Sequence, residues 1–487
     1  MDAREAWIDA PAVMSRRRAL RTMASGFGYL AFASLAHEAC AATSSQSTAR
    51  FNTLAAKAPH FAPRAKRIIF LCMQGGPSHV DMFDYKEELN RRGGQPTEIG
   101  RDRGGARLLG SPFKFARHGE CGHWFSSVCP EVAKHADDIC FLHGMHTDIP
   151  NHPQAFGQMH TGSFQFVRPS LGAWTLYGLG SENANLPGFI TLNPPADNGG
   201  ARNYGSAFLP AACQGTRIGG GQIPELYAKL LGKDEEPGPP LKHLENGRLS
   251  REAQRSQLDL VRALNQHKLA QDVYQPEIEG AIESFELAFR MQAEVPDVLD
   301  ISGETEETLA LYGIGGGGSG DRFGRQCLMA RRLAEAGVRF IEITAPVNWD
   351  HHRLLEQTLT RACEATDGAV AALLSDLKRR GLLDDTLVIW AGEFGRTPYA
   401  QSFDGRDHNN KGFTLWMAGG GVKGGHRHGA TDEFGYQAVE GAVHIHDWHA
   451  TILHLLGLDH KRLTYNYAGR DFRLTNVYGE VVKEILA

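Results

Sequence analysis

The amino-acid sequence predicts an α/β fold with a mainly parallel sheet, and three observations carry that reading. Short apolar runs recur at RIIFLCM (Arg67–Met73), VRFIEIT (Val338–Thr344), TLVIWA (Thr386–Ala391) and FTLWMA (Phe413–Ala418). Runs of this kind suit strands buried on both faces. Helical patterns precede some of them: QCLMARRLAEAG ends at Gly337, just before the run at Val338. In DGAVAALLSDLKRRG, Val370, Leu373, Leu374 and Leu377 share one helical face and Gly381 ends the pattern. The alternation of helices with short strands is the signature of a parallel sheet covered by helices.

From the N-terminus, SRRRAL places Ser15, Arg16 and Arg17 ahead of Leu20, a twin-arginine pattern. A weakly apolar stretch from about Met23 to Ala36 and the small residues ACAA at Ala39–Ala42 follow. Residues 1–42 are therefore expected to be an export signal that delivers the protein to the periplasm or beyond, and 43–64 a linker. The apolar stretch is too short to span a bilayer. His37 and Glu38 before Cys40 do not make a lipobox. Residues 65–487 form the main domain, with a helical insertion at about 241–300 that follows the breaker EEPGPP at Glu235–Pro240. GIGGGGSG (Gly313–Gly320) reads as a mobile linker, because no GK[ST] follows it.

The chain has 487 residues, 42 % of them hydrophobic, enough for one large domain or two ordinary ones. With a net charge of -5 and no long basic run, a nucleic-acid partner is not expected. Of eight cysteines, Cys40 would be lost with the signal. Cys121 and Cys129 could pair in an oxidising compartment, whereas Cys72 reads as a core residue.

Open α/β sheets bind ligands beyond the carboxyl ends of their strands. After the first strand stand Gln74, Ser78, His79, Asp81 and Asp84; after the second, Asp350, His351 and His352; after the third, Glu393 and Arg396. Asp407 and His408 precede the fourth. These clusters are expected to meet at one sheet edge. Carboxylates with imidazoles and no thiolate suit a divalent ion such as zinc, manganese or calcium. On this reading Glu393 and His408 face Asp350 and His352 across one pocket. Arg396 grips an anionic substrate and Asp407 orients His408. The segment MHTDIPNHPQAFGQMHTGS adds His146, Asp148, His152 and His160, with a helix from about Pro153 whose N-terminal amides could meet an anion. His444, His446, Asp447 and His449 precede or open an apolar-faced helix, and Asp447 is placed as its cap.

The segments QGGPSHVDMFD, NHPQAFGQMHTG, NWDHH, LKRRGLLDDTLVIWAGEFGRTP, GRDHN and HDWHATILHLLGLDH resemble domain-of-unknown-function family 1501 over about residues 65–485. Members of that family are grouped with the sulfatase-like branch of the alkaline phosphatase superfamily. The resemblance implies an alkaline-phosphatase-like three-layer α/β/α sandwich and a bimetal hydrolase of sulfate or phosphate esters, on a small anionic molecule or a polysaccharide. Carried over by residue, Gln74 stands where an Asp is usual, with Asp81 further on. Asp350 and His352 match a metal pair. GEFG stands for the usual DHG, so that Glu393 and Phe394 replace Asp and His, and His408 matches the last metal histidine. Where sulfatases carry their modified Cys or Ser, this chain reads NHPQA. The nucleophile is then Thr147, Thr161, Ser78 or a metal-bound water. The site assignment is Ser78, His79, His152 and Arg396 as catalytic residues, with Asp350, His352, Glu393, His408 and Asp81 as metal ligands. The competing expectation is a degenerate, non-catalytic member that binds a glycan or protein partner at the cell envelope. A serine hydrolase is not expected, because no G-x-S-x-G occurs.

Overall fold

Four strand-forming runs become the centre of one sheet in the computed structural model, which describes residues 54–99, 106–219, 248–269 and 276–487. The chain divides into two units, 52–246 with 276–487 and 1–51 with 247–275. The export signal, Cys40, residues 43–53 of the linker and the EEPGPP breaker lie outside the described residues. Among the described residues, no helix is long and apolar enough to cross a membrane.

In chain order the larger unit begins with strands β1 (Arg67–Cys72) and β2 (Ile139–His146), then helices α1 (His152–Thr161) and α2 (Leu171–Leu179). Strands β3 (Phe189–Leu192) and β4 (Thr216–Ile218) follow. The smaller unit contributes helix α3 (Arg251–Leu269). The larger one resumes with α4 (Pro276–Leu299), α5 (Gly318–Glu335), β5 (Phe340–Thr344), α6 (Leu355–Glu364) and α7 (Asp367–Arg379). It continues through β6 (Thr386–Ala391), β7 (Gly395–Gln401), β8 (Gly405–Asn409), β9 (Phe413–Ala418) and β10 (Arg427–His428). It closes with β11 (Val443–His444), α8 (Ile445–Leu455) and the hairpin strands β12 (Tyr465–Tyr467) and β13 (Arg470–Phe472).

The main sheet has nine strands in the order β10-β2-β9-β6-β1-β5-β3-β4, with β11 also on β2. Only β9 runs antiparallel to its neighbours. Alternate residues of each central strand enter opposite cores. Ile69 and Leu71 meet α5, α6 and α7 through Leu328, Leu359 and Leu373. Ile68, Phe70 and Cys72 meet α1, α2 and α8 through Phe156, Trp174 and Trp448. These are three layers, α/β/α, with β1 buried along its whole length. That two-sided burial is why the strands read as continuous apolar runs and not as alternating ones.

Three local expectations are corrected. Cys121 and Cys129 do not pair: Cys129 Sγ lies 3.8 Å from Cys363 Sγ, and Cys121 faces the His118 carbonyl. The C-terminal helix is capped reciprocally. His444 is the N-cap residue, and Asp447 reaches back to its amide at 3.0 Å. The glycine-rich stretch ends in order, where the Gly315 and Gly317 amides donate to Asp321 in the first turn of α5.

Candidate metal centre

The parallel strands β1, β2, β5 and β6 all point their carboxyl ends to one edge. The loops that leave them carry Gln74–Gly76, Thr147–Asn151, Ala345–His352 and Gly392–Phe394. The hairpin β7–β8 stands at the same edge and pairs His408 with Arg396. Four side chains converge there. One ligand atom from each of His152, Asp350, His352 and His408 lies within 4.8 Å of all the others. Their side chains are 15, 25, 32 and 19 % exposed, so the cluster is open to solvent.

Hydrogen bonds behind the cluster fix the imidazoles. Nδ1 of His152 is 2.6 Å from Glu393 Oε1, Nδ1 of His408 is 2.9 Å from the Pro150 carbonyl, and Nδ1 of His352 bonds Gln401 Oε1. A carboxylate or carbonyl oxygen only accepts, so each Nδ1 carries the proton and each neutral ring keeps its lone pair at Nε2. All three Nε2 atoms face Asp350 Oδ1, at 3.2, 2.8 and 3.3 Å. Nε2 of His352 and His408 are themselves 2.9 Å apart. Lone pairs aimed at one another and at an anion repel unless a cation sits among them. Burial acts to lower the His152 pKa, but the Asp350 and Glu393 carboxylates outweigh it and raise it to about 9. A proton is therefore one cation that could serve, and a metal ion is the other. Three imidazoles and one carboxylate are a donor set that fits zinc-like ions.

Glu393 is fully buried, behind His152 and not in the cluster. Its two oxygens also accept the Gly75 amide at 3.0 and 3.1 Å. Gly75 has φ +117°, and a Cβ there would come within 2.3–2.7 Å of Asn348, Trp349 and Asp350, so only glycine lets the first loop pack on the third. The expected pocket thus forms with His152 in the position foreseen for Glu393.

Arg396 is also fully buried, and the substrate-gripping role is corrected. Its guanidinium donates to the carbonyls of Gly75, Gly76, Trp349 and Arg406 and, at 2.5 Å, to Asp350 Oδ1. Full burial keeps the guanidinium from reaching a substrate in solution. Asp350 is held well below the usual carboxylate range: burial acts to raise its pKa, but His152, His408 and Arg396 outweigh burial. Asp407 accepts the His408 backbone amide at 2.9 Å; the ring Nδ1 goes to Pro150.

Ser78, His79 and Asp81 stand outside the cluster, on the short helix His79–Met82 and its N-cap, and all are buried. Asp81 meets Arg406 in a two-pronged ion pair at 2.6 and 2.9 Å, and Ser78 Oγ donates to Asp81. His79 Nε2 faces the Gly435 carbonyl at 2.8 Å. Thr161 Oγ donates to Gly157 and Thr147 is buried, which leaves neither turned to the cluster as a solvent-exposed hydroxyl. Sequence reasoning missed Gln401, Pro150 and Arg406. Gln401 alone left a signal, as a polar residue one strand away from His408 in a short hairpin.

A second group, Cys72, His160 and Glu342, is buried between the sheet and α1. His160 Nε2 lies 3.1 Å from Glu342 Oε1, and that carboxylate raises the imidazole pKa against the effect of burial. This is a buried ion pair that ties the C-terminal end of α1 to β5.

Residues 65–486 match the family described as protein of unknown function (DUF1501), and the chain belongs to that family. No curated protein matches it. Among solved structures it is similar to Ps i-CgsB, at 11 % identity and TM-score 0.37 over 81 % of this chain and 72 % of that one. It is similar to the PsFucS1 sulfatase from Pseudoalteromonas sp., at 12 % and 0.37 over 81 % and 68 %. It is also similar to a protein in the alkaline phosphatase superfamily from Vibrio parahaemolyticus, at 11 % and 0.33 over 85 % and 72 %.

Proposed function

We propose that the chain is an exported, divalent-metal-dependent hydrolase of sulfate or phosphate esters, with His152, Asp350, His352 and His408 holding the ion. One observation carries the metal: three Nδ1 protons are committed elsewhere, so that three Nε2 lone pairs and one carboxylate oxygen share a single point. When bound there, a divalent ion would polarise an ester oxygen and lower the pKa of a coordinated water.

The chain's own groups do the rest. Glu393 holds the His152 proton at Nδ1 and so directs Nε2 into the cluster. Arg396 balances Asp350 from behind. Phe394 packs on His152 and His408, with ring centroids 4.8 and 4.7 Å away, and shields their inner faces from water. Helix α1 begins at His152 with no side-chain cap from Asn151, so its positive end is open to an anionic group.

A second reading, a member that binds a glycan or partner without turnover, is favoured by one observation. Ser78, the serine assigned a catalytic role, is buried and bonded to Asp81. Elemental analysis of protein purified without chelator, in wild type and in the Asp350→Ala and His408→Ala variants, tests the metal. Metal-free wild type, or equal content in all three, removes the metal reading. Metal-loaded protein that turns over neither aryl sulfates nor aryl phosphates, mono- or diester, leaves the binding reading in place.

A further inference from the structure

A groove on the larger unit runs past the C-terminal turns of α1 and ends among arginines that have no acidic partner among the described residues. Its larger lobe, about 1000 Å³, starts at Asp148, four residues before His152, and passes Gln158 and Gly162 of the α1 segment. Its smaller lobe, about 110 Å³, shares Gly162, Phe166 and Arg473 with the first and adds Arg168 and Arg470.

The carboxylates of the larger lobe are already engaged. Asp148 meets Gln158 and His444, Asp447 holds the His444 and Glu480 amides, and Glu480 pairs with Lys461. Among the described residues, no carboxylate lines the smaller lobe. Arg168, Arg470 and Arg473 have no acidic partner among the described residues. Arg168 and Arg470 both stack on Phe472, at 4.4 and 4.7 Å from its centroid. Burial and the neighbouring Arg470 charge lower the Arg168 pKa, which records two cations held together without an anion. Apolar rings rim the same groove: Phe166 and Tyr478 are 58 and 61 % exposed. Tyr478 is held flat against His446, 5.3 Å away at 7°.

We propose that this groove binds an acidic polysaccharide, with Arg168, Arg470 and Arg473 gripping its sulfate or carboxylate groups and Phe166 and Tyr478 meeting its sugar rings. A guanidinium fork matches both anions. A sugar offers an apolar C–H face to an aromatic ring and keeps its hydroxyls wet, as a rim of half-exposed rings requires. Such a chain would pass the C-terminal turns of α1, at Gln158 and Gly162. The proposal rests on the hydrolase reading only for what becomes of the bound chain; binding itself does not require the metal.

Calorimetry with dextran sulfate, polygalacturonate, uncharged dextran and poly-glutamate tests it. Wild type should bind one or both acidic polysaccharides and not dextran; which of the two binds identifies the anion. Arg168→Ala with Arg470→Ala should weaken that binding about 100-fold or more, the worth of two charge-assisted hydrogen bonds. Arg470→Glu, a charge reversal at an exposed position, should weaken it in the same direction. Phe166→Ala with Tyr478→Ala should weaken polysaccharide binding and leave poly-glutamate unchanged. His408→Ala should bind as wild type does, which separates this groove from the metal reading. Unchanged affinity in the arginine variants, or poly-glutamate binding as tightly as the polysaccharides, would overturn the proposal.

Discussion

Nδ1 of His152 lies 2.6 Å from Oε1 of Glu393, across 241 residues of chain, and the same carboxylate holds the Gly75 amide. One buried acid thereby fixes both a cluster imidazole and the loop that carries no ligand of its own. Glu393→Gln should keep the fold, because an amide oxygen still accepts one of these hydrogen bonds. Metal affinity should fall about 10- to 100-fold, the usual effect of losing such a partner. Competition against a chromophoric chelator measures it, and unchanged affinity would show that Glu393 only supports Gly75.

Arg396 is predicted to matter for stability before it matters for chemistry. Arg396→Ala leaves the Asp350 carboxylate without its buried cation and takes a donor from four carbonyls, and urea denaturation should show a loss of about 3–5 kcal/mol. Lysine cannot reproduce the fork, so Arg396→Lys should recover only part of it. A loss below about 1 kcal/mol in the alanine variant would contradict the assigned role.

Stability should fall on acidification from pH 7. Burial lowers the pKa of His143 to about 4 and of His449 to about 3. The unfolded chain takes up protons near the ordinary value of about 6.5, before the folded one does. Both histidines therefore favour the folded state above that pH, and the advantage shrinks as pH drops toward their folded values. Each contributes a slope of about 1.4 kcal/mol per pH unit. Urea midpoints at pH 7 and pH 5 should differ in wild type and differ less in His143→Gln with His449→Gln. Equal differences would show that other groups set the slope.

Thiol chemistry checks the packing. Among the described cysteines only Cys121 is partly exposed; the others are buried. In a Cys40→Ser background the native protein should show one fast-reacting thiol, and Cys121→Ser should remove it. The rest should react only on unfolding. Fast reaction of Cys129 or Cys363 would mean that the core around α6 opens in the native state.

Export is tested at the signal itself. Arg16→Lys with Arg17→Lys should hold the protein in the cytoplasm on cell fractionation. Normal periplasmic recovery of that variant would rule out the twin-arginine route.

The fold was legible where burial is two-sided. Thr386–Ala391 and Phe413–Ala418 coincide with their strands, and Arg67–Met73 and Val338–Thr344 overrun theirs by one and two residues. Strand Ile139–His146 escaped notice because His143 and Gly144 interrupt its apolar run, although it lies between β9 and β10 in the sheet. At the site, strand direction brought Asp350, His352 and His408 together as expected. The depth of each side chain did not follow from position. Glu393, two residues beyond the end of β6, is drawn inward by the Gly75 amide, and Asp81 is taken by Arg406 from 325 residues away. Such pairings depend on which loops touch, and no local pattern records that.

The cluster draws on segments far apart in the chain, and this has a consequence in time. During synthesis, the ribosome has released His152 long before Asp350 exists, and His408 comes later still. Contacts across hundreds of residues form late, because loop closure must precede them. A nascent chain that ends before β8 lacks His408 and the hairpin that presents it. On the metal reading proposed above, ion capture at this site would be a closing event of folding. The ion held would be set by what the surrounding compartment supplies at that moment, and would add its binding energy to a chain already folded.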